Sequence, residues 1–137
     1  MDSITDTFLS LLAEADSLLQ QDPFAEQAIV VETAKENRYH CVNHEIMDGE
    51  TAEEDAFIEI LQDSGDTTVC YLVAVWNCST VNCIPSDLLP VDLPSFHLRQ
   101  KMLTLSPENA NTLILLWGND GYGYKTLGAT MPPSRTP

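Results

Sequence analysis

The strongest constraint on this chain is a pair of strand-like runs that are apolar on both sides. In Thr67 to Trp76, Val69, Tyr71, Val73 and Val75 alternate with Cys70, Leu72, Ala74 and Trp76. Thr112 to Trp117 sets Leu113, Leu115 and Trp117 against Ile114 and Leu116. Successive side chains of an extended chain point to opposite faces, so each run is oily above and below. Such strands need cover on both sides. A large apolar side chain left in water forgoes about 1.5–3 kcal/mol. Either helices lie on both faces of the sheet, or helices cover one face and a partner covers the other.

The helices are legible from their spacing. Ile4, Phe8, Leu11, Leu12, Ala15, Leu18 and Leu19 form one stripe, which predicts a helix over 3–20. Asp22-Pro23 reads as an N-cap followed by proline at the first helical position, and predicts a second helix over 23–36. The β-branched run Ile29-Val30-Val31 competes for strand there. Residues 38–46 fit a strand. Thr51-Ala52-Glu53-Glu54 resembles a capping box ahead of Ala56, Phe57, Ile60 and Leu61, which predicts a helix over 52–62. Residues 77–95 form a proline-punctuated loop, and Ser95 caps an expected helix over 95–105. Thr112 to Trp117 and Tyr122 to Leu127 make a hairpin around Gly118-Asn119-Asp120-Gly121.

Together these segments predict one α+β domain over 1–130. Its N-terminal amphipathic helices pack on a small, mostly antiparallel sheet that ends in a C-terminal β-hairpin. The proline-rich residues 131–137 are expected to be a loose tail. An open apolar sheet face is an expected route to a homodimer.

The chain of 137 residues has 21 acids and 6 bases. Its net charge of −15 lies wholly in residues 1–66, which hold 17 acids against Lys35 and Arg38. Too few bases are present for a phosphate-binding patch, so direct nucleic-acid binding and anionic membrane binding are excluded as expectations. No stretch is long and apolar enough to span a membrane. The N-terminus lacks the pattern of a secretory signal, so a cytoplasmic setting is expected and the four cysteines read as thiols.

The leading functional expectation is a non-enzymatic acidic interaction or regulatory protein. It would bind a basic protein surface, as an inhibitor, an immunity-type protein or a mimic of nucleic-acid charge. Glu14, Glu26, Glu32, Glu53, Glu54, Asp55 and Glu59 are its candidate contact residues. No cofactor belongs to that reading. The first alternative is a small zinc-binding domain using Cys41 and His44, spaced C-x2-H, with Cys78 and Cys83, spaced C-x4-C. The second is an enzyme whose cleft lies between the 77–95 loop and the hairpin. No catalytic residue is assigned. His40 and His44 flank Cys41 in sequence, but a strand would send His40 and Cys41 to opposite faces. There is no nucleophile elbow and no Walker loop.

Overall fold

The computed structural model describes residues 3–46, 49, 51–79, 88–118 and 121–132. Helix α1 (Ser3–Gln21) leads into β1 (Gln27–Thr33) and β2 (Arg38–Asn43). Helix α2 (Ala52–Ser64), strand β3 (Val69–Trp76) and helix α3 (Phe96–Leu105) follow. A short 3-10 turn, Pro107–Asn111, precedes β4 (Leu113–Gly118) and β5 (Gly121–Thr126). The fold is α+β, as the sequence predicts, with one sheet in the order β2-β1-β3-β4-β5.

Three neighbouring pairs are antiparallel, but β3 and β4 run parallel. A parallel pair needs a long crossover, and α3 lies on that connection.

Both faces of the sheet are covered from within the chain. On one side α1 packs Phe8, Leu11, Leu12, Ala15 and Leu19 against Ala28, Val30, Val73, Val75 and Leu115. On the other, Phe57 and Leu61 of α2 and Leu98 and Met102 of α3 pack against Ile29, Val31, Leu72, Ala74 and Ile114. The two-sided strands thus receive the cover that their composition demands. Helix α1 occupies one face of the sheet, and α2 with α3 the other.

Several sequence expectations are corrected. The segment read as helix 23–36 is strand β1. Ala28, Ile29, Val30 and Val31 are fully buried in it, between β2 and β3, and β-branched side chains suit that setting. The Asp22-Pro23 signal is a turn instead, in which Asp22 Oδ1 accepts from the Phe24 amide at 3.3 Å. Helix α2 keeps Phe57 and Leu61 of its expected stripe but not Ala56 and Ile60. Glu54, Phe57 and Leu61 point inward, while Ala56 and Ile60 are exposed. Gly65, at φ 74°, closes α2 in the left-handed conformation that glycine tolerates. Met131, at the start of the expected tail, packs against the core under α2 and α3, and residues 133–137 lie outside the described residues. The hairpin forms as read, paired from Leu113–Thr126 up to Gly118–Gly121, and its tip at 119–120 lies outside the described residues. No described helix is long and apolar enough to cross a membrane.

Candidate functional site

The polar residues of most interest meet where α2 and α3 begin, on the face opposite α1. Strand alternation sends Gln27 of β1, Cys41 and Asn43 of β2, and Trp76 of β3 toward that face. Gln27 lies directly between Asn43 and Trp76 in register. Direct cross-strand partners on one face have Cβ atoms about 4.5–5.5 Å apart.

Glu54, in the first turn of α2, is fully buried here. Its Oε1 accepts from Ser95 Oγ at 2.7 Å, and its Oε2 accepts from Asn43 Nδ2 at 3.2 Å. Burial pushes the Glu54 carboxyl above its ordinary range, although the bonds from Ser95 and Asn43 pull the other way. Ser95 also caps α3, accepting from the Leu98 amide at 3.0 Å. One serine hydroxyl therefore ties the start of α3 to a carboxylate of α2. The ring of His97, in the first turn of α3, lies 2.6 Å from Asp55 Oδ1 and adds a second α2–α3 link.

Glu53 faces outward. One of its oxygens accepts from the His44 amide at 2.9 Å, and the other lies 2.7 Å from His44 Nδ1. The second ring nitrogen of His44 lies 2.6 Å from Asp22 Oδ2. Hydrogen bonds to Glu53 and then Asp22 hold the imidazole above its ordinary pKa, against a smaller effect of burial. Cys41 is buried, with Sγ 3.4 Å from Asn43 Oδ1 and 3.6 Å from the Glu53 carbonyl. Burial, with Glu54 and Glu53 nearby, pushes its thiol up to about 12, so it is inert as a nucleophile at neutral pH.

Gln27 Oε1 is buried without a hydrogen-bond partner. An unmet buried acceptor costs about 1–3 kcal/mol until a donor reaches it.

The four residues of the expected zinc set do not assemble. Cys41 is inside the core, His44 is held by two carboxylates, and Cys83 lies outside the described residues. Cys78 is disulfide-bonded, which corrects the expectation of four thiols; Cys41 and Cys70 are free. Among the described residues no group of three or more His, Cys, Asp and Glu side chains is placed to hold a metal.

The acids of the expected partner surface divide between the two faces. Arg38 lies 3.0 Å from Glu32 and 3.7 Å from Glu14, on the α1 side. Glu53, Asp55 and Glu59 are exposed on α2, on the opposite side, and Glu54 is buried and unavailable to a partner. Glu26 begins the approach to β1, its amide donating to the Asn43 carbonyl. The 77–95 loop does reach the hairpin, since Tyr122 OH donates to the Leu89 carbonyl at 2.9 Å.

Neither a family model nor a curated protein sequence matches the chain. Among solved structures, it is similar to a cytidine deaminase from Bacillus anthracis, at 13% identity and a TM-score of 0.66. The match covers 93% of this chain and 88% of that one. This likeness of fold overturns the expectation of a non-enzymatic acidic regulatory protein, because an enzyme uses the same architecture.

The likeness also raises zinc. Zinc deaminases carry H-x-E and P-C-x-x-C, with the histidine and two cysteines on the metal and the glutamate as general acid–base. Here α2 opens with Thr51-Ala52-Glu53, and α3 with Pro94-Ser95-Phe96-His97-Leu98. Set against that spacing, the glutamate and the proline recur as Glu53 and Pro94, while Thr51, Ser95 and Leu98 stand where the signature has its ligands. Two neutral hydroxyls and an alkyl group are not the thiolate and imidazole donors that zinc takes. The residues at this junction do not fit the metal. Sequence reasoning missed the site because it took Thr51 and Ser95 as helix caps and Glu53 and Glu54 as a helix start and an outward acidic surface. The paired T-x-E and P-S-x-x-L spacings were the available signal.

Proposed function

We propose that the α2–α3 junction binds a small planar polar ligand of the pyrimidine-nucleoside class. The observation that carries this reading is the buried, unpartnered Oε1 of Gln27. A ligand N–H or exocyclic amine supplies the donor that this oxygen lacks. Trp76, beside Gln27 on the same face, is half-buried and offers an aromatic surface for stacking. The fold shared with a cytidine deaminase supports the choice of ligand class. No deamination step is assigned, because the junction does not fit zinc.

Isothermal calorimetry with cytidine and uridine tests the proposal. Saturable binding is expected, weakened about tenfold or more by Gln27→Leu, since a lost buried hydrogen bond of about 1.4 kcal/mol is a factor of ten. Wild-type protein that binds neither nucleoside at millimolar concentration overturns the reading. So does Gln27→Leu protein that binds with unchanged affinity.

A further inference from the structure

We infer that Glu54 performs in this chain the tie that a metal ion performs at the corresponding point of a zinc deaminase. The signature of those enzymes takes ligands from two separate segments, so the ion cross-links them. Here the matching T-x-E and P-S-x-x-L spacings both fall at helix starts, with Thr51, Ser95 and Leu98 where the signature has its ligands. The cross-link is nevertheless present in another material. Ser95, at one of those positions, gives its hydroxyl proton to Glu54 Oε1 at 2.7 Å. Asn43 at the end of β2 donates to the other oxygen at 3.2 Å. A single carboxylate thus joins β2, α2 and α3.

Leu98, at another ligand position, is fully buried in the core under α2 and α3. It is a packing residue, and its amide completes the Ser95 cap. The three residues are mutually consistent. Serine serves as both cap and donor, leucine fills space, and a buried glutamate accepts what remains. A glutamate on the inward stripe of an amphipathic helix is costly without partners, and this one has a donor on each oxygen. The junction therefore closes by hydrogen bonding and needs no ion.

The experiment is a melting-temperature comparison on the full chain, and it does not depend on nucleoside binding. Wild-type protein is expected to contain no stoichiometric zinc and to melt within about 1 °C of the same temperature in chelator, in buffer and in excess zinc. Glu54→Ala leaves Ser95 and Asn43 without their acceptor and is expected to melt about 10 °C lower. Glu54→Gln keeps an acceptor for Asn43 and can donate to the Ser95 hydroxyl, so it is expected to recover most of that loss. If Glu54→Ala does not fold, Ser95→Ala is read instead, with an expected fall of about 5 °C. One zinc per chain with a chelator-sensitive melting temperature overturns the inference. So does a Glu54→Ala or Ser95→Ala variant that melts with the wild type.

Discussion

Helix α2 carries a buried carboxylate near each end, and the two are held in opposite ways. Glu54 sits in its first turn and Asp66 just beyond its last. A helix dipole favours negative charge at the N-terminus and disfavours it at the C-terminus. The shifts run against that rule, since Glu54 is pushed up and Asp66 is held down. Burial is the largest effect at both sites and acts to raise both. At Asp66 it is outweighed because Asn37 Nδ2, Thr33 Oγ1 and Tyr39 OH converge on one oxygen at 2.9, 2.8 and 3.2 Å, with Lys35 nearby. Glu54 has one donor per oxygen, and these bonds with His97 nearby do not outweigh its burial. Donor supply set against burial, not helix polarity, decides which acid stays ionised. A dipole effect of about 0.3–1 kcal/mol is smaller than hydrogen bonds to a charged group at about 1.5–3 kcal/mol each.

The largest expected effect follows from Asp66. Asp66→Asn places an amide N–H among three donors and is expected to lose about 2–3 kcal/mol at pH 7. A group with a depressed folded pKa adds stability above its unfolded value of 3.8 and loses it as pH falls through the folded value. The gap between variant and wild type should therefore narrow as pH falls below 3.8 in denaturant titrations. A gap independent of pH would show that the donors, not the charge, make the difference. Glu54 has the opposite slope. Its folded pKa lies above 4.5, so wild-type stability falls as pH rises from 4.5 through the raised value. Glu54→Gln does not titrate, so its stability relative to wild type should improve as pH rises from 4.5 toward neutral. A relative stability that worsens over that range breaks the comparison.

The same contrast explains how much the sequence could reveal. Patterning located α1, β3, the hairpin and the Ser95 cap, because each depends on neighbours within one segment. It misread β1, where a turn aspartate and a proline imitate a helix start. It placed Phe57 and Leu61 of α2 inward correctly but added Ala56 and Ile60 to the stripe, because a glutamate is not expected on the inward face. That glutamate is justified only by Ser95 and Asn43, which lie in other elements. The site was illegible for the same reason. Gln27, Asn43, Glu54, Trp76 and Ser95 come from separate segments and share a location only after the sheet has paired. The acidic half is likewise divided, with Glu14 and Glu32 on the α1 side of the sheet and Glu53, Asp55 and Glu59 on the other.

Exposed contacts should matter least, and His44 and Arg38 set that lower bound. His44 is part-exposed between Asp22 and Glu53. Its raised pKa stabilises the fold fully below about pH 6.5, and the benefit fades as pH rises through the folded value. Because water screens this group, His44→Gln is expected to cost under about 1 kcal/mol at pH 5.5 and less at pH 8.5. Arg38 reaches Glu32 at 3.0 Å, Ser10 Oγ at 2.8 Å and Glu14 at 3.7 Å, and all of these contacts are open to solvent. Exposed ion pairs contribute about 0–1 kcal/mol, and salt weakens them further. Arg38→Ala should therefore cost about 0.5 kcal/mol in low salt and less in 1 M salt. A loss comparable to that of Asp66→Asn, persisting in high salt, would mean that burial is not what separates the strong carboxylate contacts of this fold from the weak ones.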